Sequence, residues 1–80
     1  MKLEILTPEK RLYRDEVEAI TLPGAMGSFQ VLSSHAPMVA ALTKGTLSFT
    51  TKGKTEEIEI EDGVLEVHEN KVVICLDGVV

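Results

Sequence analysis

Turn-forming residues cut this chain into short runs of apolar–polar alternation, and that spacing constrains the fold more than any other feature. Lys2–Thr7 sets Leu3 and Ile5 against Lys2 and Glu4. Thr46–Thr51 puts Leu47 and Phe49 on one face, and Glu56–Glu61 puts Ile58 and Ile60 opposite Glu57, Glu59 and Glu61. A period of two is the mark of a strand with one face in a core and the other in water. Between these runs stand Gly24 and Gly27, Lys52-Gly53-Lys54, Asp62-Gly63 and Glu69-Asn70, each a turn signal. Pro37 biases Ala36 toward extended backbone, so Ser33–Pro37 reads as a polar loop between strands at 27–32 and 39–42. Strands about eight to twelve residues apart with turns between them mean an antiparallel sandwich or barrel. The expected fold is all-β, a single domain over residues 1–80, without a long helix.

Residues 7–20 are the one stretch where local rules balance helix against strand. Thr7 offers an N-cap, Pro8 suits the first helical position, and Tyr13, Val17 and Ile20 fall at i, i+4 and i+7. The same residues also read as a brief strand around Leu12-Tyr13 followed by one through Val17–Leu22.

Size and charge exclude several classes of function. A chain of 80 residues has room for one core and none for a large internal cleft. The hydrophobic share is 44% and the aromatic share 4%, so the core must be aliphatic. That apolar share suits either a well-filled β core or a surface that docks on a partner. Thirteen acidic against eight basic residues give a net charge of −5, which argues against nucleic acid or an anionic membrane surface as the partner. No apolar run approaches the roughly 20 residues of a membrane helix. Met1-Lys2 leads into alternation rather than the apolar core of a signal peptide. The single cysteine excludes an internal disulfide and fits a reducing compartment.

The residues that could carry chemistry do not assemble into a reactive set. His35, in a polar loop, could act as base, ligand or hydrogen-bonding contact. No acid or thiol stands near it in sequence, and an ordered-loop or interface role is the simpler expectation. His68 lies out of phase with Leu65 and Val67 and is expected in solvent. Cys75, between Ile74 and Leu76, is expected buried as a small hydrophobe. The acidic run Glu56–Asp62 is the wet face of a strand, where like charges discourage strand addition. Gly24-x-x-Gly27 is no phosphate loop, because no Gly-Lys-Ser/Thr follows. Lys10, Arg11 and Arg14 form a solvated basic cluster. No catalytic residue, cofactor or metal site is expected.

A resemblance sharpens this reading. Gly24-x-x-Gly27-x-Phe29-x-Val31-Leu32-x-x-His35-Ala36-Pro37, followed by Leu42-Thr43-Lys44-Gly45, resembles the epsilon subunit of the rotary proton-translocating ATP synthase. Ile5–Lys10 with Glu16–Gly24, and Glu61–Val67 leading into Asn70–Leu76, agree in the same order, so the likeness covers essentially the whole chain. It implies a flattened antiparallel β-sandwich and strands, not a helix, over residues 7–20.

It also implies a rotor subunit that joins the gamma subunit to the c-subunit ring and helps couple proton translocation to ATP synthesis. Such a protein would be non-catalytic and peripheral, on the cytoplasmic side of the inner membrane, without inserting into it. Ser28, Ser34, His35, Ala36 and Pro37 would face the c ring. Thr7, Met38, Val39, Ala40 and Leu42 would face gamma. Four positions depart from the family pattern: Ser28 replaces a common glutamate, Ser33-Ser34 replaces Pro-Gly, and Gln30 replaces a glycine. A charged contact with the ring is thereby lost. The helical hairpin with which most members continue is not among these residues, so self-inhibition and ATP sensing are not carried over. The reading from another class is a free-standing small β module that binds a peptide or carrier domain.

Overall fold

Eight strands make up the computed structural model, which describes residues 1–79: β1 Lys2–Leu6, β2 Arg11–Glu16, β3 Ala19–Gly24, β4 Gly27–Leu32, β5 Met38–Leu42, β6 Gly45–Thr51, β7 Lys54–His68 and β8 Lys71–Val79. The balanced stretch 7–20 holds no helix: it contains β2, the start of β3 and the short connections beside them. Its helical spacing loses because β2 finds a full antiparallel partner in β1, with Leu3 opposite Asp15 and Ile5 opposite Tyr13. Leu12 and Tyr13 then pack against the core, which an isolated helix of that length could not exploit.

The strands run in the order β2-β1-β8-β7-β5-β3-β4, with β6 bridging β3 and β7. All pairs are antiparallel except β1 with β8, which run parallel from Lys2–Lys71 to Leu6–Cys75. The purely antiparallel expectation fails at that one pair. The long β7 holds the two layers together, because Lys54–Ile60 pairs with β6 and Gly63–Val67 pairs with β5. Both layers pack into a body of 26 × 23 × 20 Å.

Asp62-Gly63 is not the turn that its residue types suggest. The strand runs straight through, and the pairing with β8 shifts register on both sides of Asp62. This is a bulge, which bends the strand from one layer to the other. Gly63 is needed for a different reason than reversal: a Cβ there would meet the Cys75 carbonyl oxygen at 2.7 Å and Leu76 Cδ2 at 2.9 Å. The other two hairpin signals hold. Lys52 and Gly53 have φ of 51° and 77°, Glu69 and Asn70 of 49° and 61°. Positive φ at both central residues is the two-residue turn whose twist matches the strands it joins.

The core is aliphatic as composition required. Leu3, Ile5, Ile20, Leu22, Val31, Leu47, Ile60, Leu65, Val72 and Ile74 have no exposure at all, and Phe49 joins them. Tyr13 closes the cluster from the β2 edge, its ring centroid 4.4 Å from that of Phe49. No polar side chain is buried among the described residues, so the interior carries no unpaired charge to stabilise.

Candidate functional site

Three surfaces hold the residues singled out by sequence, and they differ in character. The first is the loop from Ser33 to Pro37. Its backbone turns at Ser34, with φ 64°. Two hydrogen bonds fix it: His35 N donates to Leu32 O at 3.2 Å, and Ser34 N donates to Asn70 Oδ1 at 2.9 Å. His35 is half-buried, and its Nδ1 lies 2.8 Å from the Ala36 carbonyl oxygen. A carbonyl only accepts, so Nδ1–H donates, and in the neutral ring Nε2 is left as an acceptor for a partner. Ala36 and Pro37 are exposed. His68, as expected, is exposed; its Nε2 stands 3.7 Å from the Glu69 carboxylate.

The second surface is the groove between β4 and β5, entered from the β3–β4 turn. It is a shallow hollow of about 450 Å³ lined by Ser28, Phe29, Met38, Ala40 and Ala41, among others. Ser28 lies at one end of β4, and the His35 loop leaves from the other, about 13 Å away at the usual rise per residue. A partner touching both must therefore run along the strand. Met38 and Ala40, expected to face gamma, line the same groove as Ser28, expected to face the ring. Leu42 is 3% exposed, so its side chain packs the core and presents nothing to a partner.

The third surface was only partly legible in sequence: the outer face of β5, the second half of β7, β8 and β1. Cross-strand pairing aligns Ala41, Val64, Cys75 and Leu6 in one row, and Val39, Glu66, Val73 and Glu4 in the next. Val39 is 69% exposed and Val64 50%. Cys75, expected in the core, is exposed. Strand β8 is apolar on both faces; Val72, Ile74 and Leu76 take the interior, which turns Val73 and Cys75 outward. A strand apolar on both sides is normally covered on both sides. Thr7 belongs beside this face. Its Oγ1 accepts from Lys10 N at 3.2 Å and donates to Lys10 O at 3.1 Å, closing the β1–β2 turn. A hollow there is lined by Leu6, Thr7, Pro8 and Cys75. Among the described residues no group of three or more His, Cys, Asp or Glu side chains could hold a metal ion, and none of the three surfaces gathers an acid, a base and a nucleophile.

Comparison with known proteins fixes what these surfaces belong to. The family described as the ATP synthase delta/epsilon chain, beta-sandwich domain, matches residues 1–80. The chain belongs to the ATP synthase delta/epsilon family. It is 42% identical to the ATP synthase epsilon chain of Carboxydothermus hydrogenoformans, over 98% of this chain and 58% of that one. With the epsilon chain of Sulfurimonas denitrificans the identity is 40%, over 100% of this chain and 62% of the relative. The chain thus spans about three-fifths of the length of these relatives. Among solved structures, a chain in the Euglena gracilis mitochondrial ATP synthase, determined with OSCP, F1 and the c-ring, superposes with a TM-score of 0.91 at 26% identity. That match covers 98% of this chain and 51% of the other. A chain in the central stalk and c-ring of the Tetrahymena thermophila mitochondrial enzyme gives 0.84 at 20% identity, over 99% of this chain and 64% of that one, and shows the fold alone. The epsilon-type β-sandwich is therefore this protein's fold. No helix among the described residues is long and apolar enough to cross a membrane.

Proposed function

We propose that the domain joins the gamma subunit to the c-subunit ring in the rotor of an ATP synthase, and helps couple proton movement to ATP synthesis without chemistry of its own. The observation that carries this is the apolar row Ala41–Val64–Cys75–Leu6 on an outward sheet face of a family member. Gamma packs on that face, with Val39 and Thr7 at its margins. Leu42 supports the strand from the core, while Met38 and Ala40 line the groove on its other side. The ring meets the opposite side of β5, along β4 from Ser28 to Ser34, His35, Ala36 and Pro37. This places the domain at the cytoplasmic side of the membrane through its partners alone. The reading gives these residues no part in self-inhibition or ATP sensing.

Torque transfer needs a joint that does not deform, and a close-packed β core deforms little. An interface of the usual ~800 Å² per partner would take about a sixth of the 4877 Å² surface, so two partners fit without overlap. Co-purification with gamma tests the reading. The chain is expected to elute with gamma in a one-to-one complex at moderate salt, and Val64→Glu is expected to separate them. Independent elution of the unsubstituted pair sinks the proposal.

A further inference from the structure

Strands β2 and β4 end the sheet order, so each leaves one edge without a neighbour. The two edges differ in chemistry. β2 carries Arg11, Arg14, Asp15 and Glu16, whereas β4 reads Gly-Ser-Phe-Gln-Val-Leu. Every Asp, Glu, Lys and Arg of this chain lies outside the segment Ala19–Thr43. Charged side chains blunt an edge against strand addition, and an uncharged edge with open backbone groups lacks that protection.

Pairing parity tells which backbone groups of β4 are open. Gly24 and Gly27 flank the two-residue connection Ala25-Met26. Flanking residues of such a hairpin exchange both backbone bonds, and bonded pairs alternate with unbonded ones along the strands. Leu22–Phe29 and Ile20–Val31 are therefore bonded, whereas Pro23–Ser28, Thr21–Gln30 and Ala19–Leu32 are not. Pro23 fits that parity: it has no N–H to offer β4, and its carbonyl turns away to accept from Thr43 N at 2.9 Å. The N–H and C=O groups of Ser28, Gln30 and Leu32 thus point away from β3. Among the described residues only one of these six groups is engaged, the Leu32 carbonyl, which accepts from His35 N at 3.2 Å.

We propose that β4 pairs antiparallel with β4 of a second copy, about a twofold axis at Gln30, so that the free chain forms a dimer. In that register Gln30 faces Gln30 of the second copy and Ser28 faces its Leu32, which brings the open groups of both edges opposite one another. The half-exposed Leu32 side chain, 52% exposed, is covered in the same step. A second copy fits because a chain of net charge −5 repels its own kind over most of its surface, but not here. The apolar outer face is a poorer self-contact: Glu66 and Glu4 stand in the row beside Ala41, Val64, Cys75 and Leu6, and would be drawn into an interface with their own copies. Pairing about a twofold axis also closes at two, because the joined sheet then ends in charged β2 at both sides. The proposal does not rest on the rotor reading, since the dimer leaves the outer face open. It concerns the free chain, because a β4 seated on any other subunit is unavailable for pairing.

The test is sedimentation velocity on the full chain over rising concentration. One strand edge falls short of the ~800 Å² per partner of a stable interface, so the dimer is expected to dissociate on dilution. The mean mass is expected to rise from 8.7 kDa toward twice that value between about 5 µM and about 500 µM. Gln30→Lys sets two like charges together at the axis and is expected to weaken the dimer at least about fivefold, while Gln30→Thr keeps it. Both sites are exposed, so the melting temperature of dilute chain should not move. In a mixture of isotope-labelled and unlabelled chain, a cross-copy NOE is expected between the Hα atoms of Phe29 and Val31, the close unbonded pair of this register. Maleimide labelling of Cys75 should proceed at the same rate in dimer and monomer. A mass that stays at 8.7 kDa throughout overturns the inference. So does a dimer that is indifferent to Gln30→Lys, or one that shields Cys75, because the interface then lies elsewhere.

Discussion

Asn70 Oδ1 accepts a hydrogen bond from the backbone N–H of Ser34 at 2.9 Å, across thirty-six residues of chain. The same Asn70 accepts from Lys2 N through its carbonyl, at 3.1 Å. One turn residue thus ties the histidine loop to the β7–β8 hairpin and to β1. Asparagine suits the site because its φ of 61° lies in the left-handed region that this side chain tolerates.

Asn70→Ala is expected to destabilise the domain by about 1 kcal/mol, from a lost hydrogen bond and a less tolerant residue at positive φ. More telling is the loop itself: the Ser34 amide should exchange with solvent about tenfold faster, while the amides of β3 hold. Unchanged protection at Ser34 would show that the loop is ordered by something else.

Gly63→Ala tests the bulge. The added methyl must displace the Cys75 carbonyl, which is backbone and cannot swing aside. Overpacking of this kind costs roughly 1–3 kcal/mol, to be read from urea unfolding of both proteins. A turn at this position, by contrast, would leave room for the methyl, and equal stabilities would favour a turn over the bulge.

Cys75 offers a probe of the outer face that needs no new residue. Free chain should react readily with a small maleimide, because the thiol is exposed. Bound to gamma, it should be shielded and its labelling slow by at least about tenfold. Val64→Glu, in the same row, is expected to leave folding stability within about 0.5 kcal/mol, as surface substitutions do. Labelling that gamma leaves untouched would move the interface elsewhere.

Burial, reinforced by the Asp15 carboxylate, pushes the Tyr13 phenol above its ordinary value of 10.0, against a smaller opposing effect of its hydrogen bond with Thr51. The unfolded chain therefore loses this proton first as pH rises. Stability from the neutral phenol is complete below pH 10.0 and drains away above it. Every other group is shared by the parent and a Tyr13→Phe variant, so the informative quantity is the difference between them. Tyr13→Phe is expected to lose less stability than the parent above that pH, and parallel curves would count against the burial argument.

Much of this protein was already legible in its residues. Alternation in Lys2–Leu6, Thr46–Thr51 and Glu56–Glu61 located strands and named their inward side chains. Lys52-Gly53 and Glu69-Asn70 announced reversals, and the family pattern from Gly24 to Pro37 announced the kind of molecule. Local periodicity suffices there because one face is apolar and the other polar, so only one orientation buries the right atoms. It fails where both faces are apolar. In β8 the series Val72, Ile74, Leu76 and the series Val73, Cys75 are equally greasy, and only the position of the opposing layer decided that Cys75 faces outward. Asp62-Gly63 is ambiguous for a related reason: the dipeptide serves a turn or a bulge, and the pairing partners on both edges of β7 chose the bulge. The parallel seam between β1 and β8 has no local signature at all, since it joins strands at the two ends of the chain and is set by how the layers close.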